Sequence, residues 1–107
     1  MAKPAWRLFE RWLAKLFNGK TSWGSGVLWH QRMDVRGEWP AAWPAMMPYD
    51  SKEVVISAKY TTTGVRVTRR DVDQLIHVAA AEGREPVLAI AFGEVVMIGF
   101  FMPWEKS

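Results

Sequence analysis

The sequence predicts a small α/β fold in which helices flank a mixed central β-sheet. Three observations predict it: an amphipathic helical pattern near the N-terminus, a β-branched strand around residues 53–60, and a second helical pattern followed by two apolar strands. At 107 residues, half of them apolar and 23% charged, the chain has the size and usage of one globular domain with one core. A single domain over residues 1–107 is therefore expected.

Apolar side chains at Ala5/Trp6, Leu8/Phe9, Trp12/Leu13 and Leu16/Phe17 recur at helical spacing, with Arg7, Glu10, Arg11 and Lys15 on the other side. Pro4 suits the first turn, and Asn18-Gly19 stops the helix. From Lys20 to Asp50 glycines, prolines and tryptophans interrupt any period; Val27-Leu28-Trp29 could begin a short strand, and the stretch Gly37 to Pro48 holds three prolines, counting Pro48, that break a central strand or helix. The segment has room for a hairpin whose strands the pattern does not place.

Glu53 to Tyr60 follows, with Val54, Ile56 and Ala58 alternating against Val55, Ser57 and Lys59. Thr61-Thr62-Thr63-Gly64 reads as a turn and Val65-Arg66-Val67 as a short extended piece. Thr68 and Asp71 have the spacing of a helix N-cap pair, and a helix from Arg69 to Glu82 buries Val72, Leu75, Ile76, Ala79 and Ala80 before Gly83 closes it. Val87 to Phe92 and Val95 to Met102 are strands joined at Gly93-Glu94. The Lys59 and Val87 strands, linked by a helix, are expected to be parallel with a right-handed crossover. The expected order is α-β-β-β-α-β-β.

With no cysteine, disulfides, thiolate zinc sites and cysteine nucleophiles are excluded. No signal-peptide stretch and no apolar run of membrane-spanning length is seen, so a soluble cytoplasmic protein is expected. The net charge is only +3, yet Lys3, Arg7, Arg11, Lys15 and Lys20 face Glu10 alone in the first twenty residues. A basic end of this kind suits phosphate. Seven tryptophans spread without a repeated motif fit core packing better than base stacking.

Phe9-Glu10-Arg11, Val54-Val55-Ile56-Ser57-Ala58-Lys59-Tyr60-Thr61 and Gly83-Arg84-Glu85-Pro86-Val87-Leu88-Ala89-Ile90, in this element order, resemble the archaeal and phage Holliday junction resolvases of the PD-(D/E)XK, restriction-endonuclease-like superfamily. The resemblance covers most of the chain. It implies a metal-dependent endonuclease for branched DNA, a homodimer, and Mg2+ or Mn2+ held by a helix-1 Glu, an Asp after a Pro and the Glu of Glu-x-Lys, with the Lys orienting or activating water. A hard ion seeks carboxylate and water oxygens, and alternation along a strand aims the Glu and Lys at one phosphate.

Carried over by position, Glu10 is the helix-1 acid, Lys59 the motif lysine, and Ser57 stands where the family has Glu. A hydroxyl is a poor substitute for a carboxylate at magnesium. Asp50 in Pro48-Tyr49-Asp50 is the literal Pro-x-Asp, separated from Ser57 by only six residues, a short connection for a hairpin, whereas Pro40-Ala41-Ala42 has the usual separation and no ligand atom. Glu10 and Asp50 are thus the expected metal carboxylates. Either the ligand set is altered, or one of Asp34, Glu38, Asp50 or Glu53 serves in place of the missing acid. Glu53 shares a face with Ser57 but lies about 13 Å from it along the strand. DNA phosphates are assigned to Arg7, Arg11, Lys15, Lys20, Arg32, Arg36, Arg66 and Arg69.

Blander readings stand beside these: Glu10 and Lys59 as surface charges, Asp50 as a turn cap, Gln74 as surface, and His30 and His77 as histidines without ligand spacing. Two other functions compete with the nuclease. One is a non-cleaving junction-binding protein that keeps the fold; the other is an interaction module using Trp23 to Trp43.

Overall fold

The structure, a computed structural model, describes residues 5–21, 34–44 and 53–101. The elements run α1 (Ala5–Leu16), β1 (Lys20–Thr21), β2 (Val35–Glu38), β3 (Glu53–Thr61), α2 (Arg69–Glu82), β4 (Glu85–Phe92) and β5 (Val95–Phe100). They form one five-stranded sheet in the order β1-β2-β3-β4-β5. Only β3 and β4 are parallel; the other neighbours are antiparallel. This is the expected α-β-β-β-α-β-β arrangement.

Helices cover opposite faces of the sheet, which explains why Val54, Val55 and Ile56 are all buried. Val54 and Ile56 pack with Phe9, Leu13 and Phe17 of the α1 segment, and Val55 packs with Leu75, Val78 and Ala79 of α2. Alternation of side chains across a strand makes these two separate faces. The α1 seam is closed by aromatics: Phe17, Trp39 and Trp43 meet with ring centroids 5.1 to 6.0 Å apart, and Trp39 meets Phe100. These two tryptophans are packing residues. Only part of the wide α1 stripe is used, for Trp6, Leu8 and Trp12 remain about half exposed.

Thr68 and Asp71 form a reciprocal capping box at the start of α2, and Gly83 ends the helix in the left-handed region at φ 68°. The buried stripe is Leu75, Val78 and Ala79 with half-buried Val72; Ile76 and Ala80 face outward. A helix seated mainly over Val55 and Phe101 buries a narrow ridge, narrower than the expected face. Residues 65–67 form no strand, because Thr61 ends the ladder in a side-chain turn with Thr63 and Gly64. Pro86 lies within β4 rather than before it. Its missing N–H is tolerated because β5 pairs only from Val87 onward.

The tight crossing of α1 and β2 positions the site. The Phe17 carbonyl accepts the Glu38 N–H at 2.6 Å, and Gly19 donates to Ala14 at 2.7 Å. At the far end, Arg36 forms a two-pronged pair with Glu82, both bonds 2.7 Å, and Arg84 reaches the Gly37 and Val54 carbonyls. No helix among the described residues is long and apolar enough to cross a membrane.

Candidate active site

The sheet register sorts the acidic candidates. Glu38 pairs with Glu53, while Val35, at the other end of β2, pairs with Ile56. Glu38 and Glu53 therefore lie at the end of the hairpin remote from Lys59, and so does Ala42, which follows β2 in a turn closed by the Trp43 N–H to Pro40 carbonyl bond. Asp34, immediately before β2, lies at the Lys59 end. Asp50 and Arg32 fall outside the described residues, as do His30 and Val27 to Trp29.

The Asp34 carboxylate sits just beyond the last β2–β3 pair. Its backbone N–H donates to the Ile56 carbonyl at 3.1 Å, and its Oδ2 accepts the Ala58 N–H at 2.6 Å. The side chain thus continues the ladder by one step beyond the Val35–Ile56 pair. Burial raises its carboxyl above the ordinary value, opposed by the Ala58 hydrogen bond and by the charge of Lys59.

Among the described residues Glu10 is the only buried charged side chain, 6% exposed. It lies on α1 between Phe9 and Leu13, so the helix that fills the core also carries this acid inward. Burial pushes its carboxyl up to about 7; the negative charge of Asp34 adds to the rise, and Arg7, one turn earlier, opposes it. Two acids that feel each other in a poorly solvated place form a site of stored negative charge.

Ser57 and Lys59 share the opposite, α2-side face of β3. Ser57 lines a shallow pocket with Val67, Asp71, Val72, Leu75, Leu88 and Phe101. The half-buried Lys59 places its Nζ 3.4 Å from Asp71 Oδ2. The structure therefore brings Glu10 and Asp34 together electrostatically from the α1 side, with Lys59 near enough to act on Asp34 from the other. Among the described residues no group of three or more acidic, histidine or cysteine side chains is arranged to hold a metal.

Of the assigned phosphate contacts, Arg11, Lys15, Lys20 and Arg66 are exposed. Arg7 lies 5.1 Å from the Trp6 ring centroid. Arg36 is engaged by Glu82, and Arg69 makes an exposed pair with Asp73 at 3.0 Å. Of the acids that the sequence offered as alternatives, Asp34 is, among the described residues, the one found at the Lys59 end. Its signal was an acid directly before Val35-Arg36-Gly37, a short strand with two inward residues, inside a stretch without a readable period.

The fold is the expected α/β arrangement, a mixed five-stranded sheet with a helix on each face. A similar solved structure is the 1.6 Å structure of Archaeoglobus fulgidus Hjc, a Holliday junction resolvase from an archaeal hyperthermophile, with a TM-score of 0.62 over 87% of this chain and 73% of that one, at 18% identity. No protein-family model and no curated protein sequence matches the chain.

Proposed function

We propose that the chain, as one domain over residues 1–107, is a metal-dependent, structure-selective DNA endonuclease acting on branched DNA such as four-way junctions, with Glu10, Asp34 and Lys59 at its centre. The observation that carries this reading is the half-buried Asp34 carboxylate held by the Ala58 N–H at the open end of the β2–β3 hairpin, within electrostatic reach of Glu10 and Lys59. Asp34 takes the metal-binding place first assigned to Asp50.

Mg2+ or Mn2+ fits the donor set: two carboxylates in a dehydrated corner are hard oxygen ligands, and magnesium is commonly held by one or two carboxylates with waters and substrate phosphate completing its shell. When bound, such an ion neutralises phosphate charge and makes a water more acidic. Glu10, raised to about 7, carries a proton for much of the time near neutrality and gives it up as positive charge arrives. Lys59 meets a phosphate oxygen from the α2-side face, and Ser57 offers it a hydroxyl. Arg11, Lys15, Lys20 and Arg66 supply backbone contacts.

A homodimer accompanies this reading, because paired cuts in a symmetric junction call for two centres. Support comes from the edge strand β5, which carries no charged residue and exposes Val95 (65%) and Met97 (58%).

A non-cleaving junction-binding protein is the second reading, favoured by Ser57 and by the engagement of Lys59 with Asp71. Incubating the chain with four-way junctions and Mg2+ or Mn2+ separates the two. Cation-dependent nicking that is lost in Asp34→Asn is the expected result, from a protein sedimenting at twice the chain mass. Absence of nicking by both the native chain and Ser57→Glu, with binding that weakens steeply as salt rises, would leave only the second reading.

A further inference from the structure

Lys59 lacks a carboxylate two residues before it on its own strand, but it does not lack one in space. Asp71 Oδ2 lies 3.4 Å from its Nζ, and Asp71 lines the same pocket as Ser57. Resting on the proposed function above, we infer that Asp71 is the positioning residue for Lys59: it supplies from the first turn of α2 the negative charge that Ser57 cannot supply from β3.

The local chemistry supports more than a chance surface pair. A lysine on a four-carbon stem loses much rotamer freedom when it is held in place, and an exposed ion pair between two mobile side chains gains little after that cost. Here one partner is already fixed. Asp71 Oδ2 accepts the Thr68 N–H at 3.0 Å, and its own N–H donates to Thr68 Oγ1 at 3.2 Å, so the capping box orders the carboxylate before Lys59 arrives. The Thr68 backbone N–H, the charge of Lys59 and further hydrogen bonds hold the Asp71 carboxyl below its ordinary value, against a smaller opposing effect of burial. It therefore remains an anion wherever the site works.

Lys59 is also attracted by Asp34 from the β2 side. Its ammonium thus touches the carboxylate of a helix cap and also feels the charge of one in the candidate cation site. Asp71 sets the direction of the stem, while Glu10 and Asp34 set the charge of the centre. The helix start does double duty, as a cap for α2 and as a brace for the lysine.

Three variants test this on the full chain. Asp71→Asn keeps an oxygen for the Thr68 N–H and removes the charge; Asp71→Glu keeps the charge, and Glu is itself a usual residue at this capping position. Ser57→Glu combined with Asp71→Asn moves the charge to β3. Under single-turnover conditions Asp71→Asn is expected to slow junction cleavage on the order of 10-fold with junction affinity unchanged. Asp71→Glu and the double variant should regain most of the rate. In parallel, the Lys59 side-chain Cε and Nζ resonances, read by NMR, should move toward those of the exposed lysines in Asp71→Asn alone. A native cleavage rate in Asp71→Asn overturns the inference and leaves the nuclease reading intact. If the native chain does not cleave, that reading falls, and the Lys59 resonances decide the positioning role: unmoved in Asp71→Asn, they overturn it; moved, they uphold it.

Discussion

Replacing Glu10 by Gln is expected to make the protein more stable at pH 8 and to abolish cleavage. Burial holds this carboxyl at about 7 in the folded state, against 4.5 for the ordinary group. Because the folded state binds the proton more tightly than the unfolded one, stability falls as pH rises between these values and the loss is complete above about 7. Ionising Glu10 in the fold then costs on the order of 3 kcal/mol. Gln fills nearly the same space without that cost, so the melting temperature at pH 8 should rise by roughly 10 °C, a typical response for a domain of this size. The gain should vanish near pH 4, where native Glu10 is protonated in both states.

Cleavage should fall at least about 100-fold, since the lost carboxylate is a direct cation ligand in the proposed centre. Magnesium at pH 8 should raise the melting temperature of the native chain and leave that of Glu10→Gln almost unchanged, because a cation that binds only the folded site stabilises it by mass action. Thermal melts with and without magnesium check both statements. A Glu10→Gln protein less stable than the native one at pH 8 contradicts the account of the site as stored charge.

The second large effect lies in the crossing of α1 over β2. A Cβ added at Gly19 would overlap the Arg36 carbonyl oxygen and meet the Gly37 Cα at 2.7 Å; one added at Gly37 would meet the Phe17 Cβ at 2.9 Å. Neither obstacle is the mobile end of a side chain, so helix and strand must separate. Gly37→Ala and Gly19→Ala are each expected to cost about 3 kcal/mol or more, a large part of the stability of a small domain. Gly64→Ala, with nothing within 4 Å of the added Cβ, is the control and should change stability by less than about 0.5 kcal/mol. Chemical denaturation of the three variants measures this directly. If Gly37→Ala folds at low temperature, it should also lose cleavage, since the seating of α1 on β2 is what brings Glu10 to Asp34.

Much of this fold was readable because its signals are local. Thr68, Asp71 and Gly83 mark the ends of α2 through capping chemistry within a few residues, and Gly93 sits in the left-handed conformation at the β4–β5 turn where Gly93-Glu94 was expected. The parallel pairing of the Lys59 strand with β4 followed from the helix between them. Glu10 and Lys59 became site candidates through the family resemblance, carried over by position, and not through any local pattern. Asp34 was not singled out, because its place depends on register: it comes directly before β2, whose first residue Val35 lies opposite Ile56. The engagements of Arg36 with Glu82 and of Lys59 with Asp71 join residues distant in sequence, and no local period reports them. Ile76 and Ala80 fit the helical stripe, yet the seat beneath α2 is too narrow to take them.

The bond from the Ala58 N–H to Asp34 ties the site to the backbone beneath it. Ala58 is the residue immediately before Lys59, and its amide has the Asp34 side chain as acceptor where a neighbouring strand would ordinarily provide a carbonyl. The bond uses Oδ2 and leaves Oδ1 to other partners. Under the proposed function, a cation drawn to this carboxylate would also pull on the peptide group next to the lysine, which would join ion occupancy and the tautness of the strand end in one mechanical linkage.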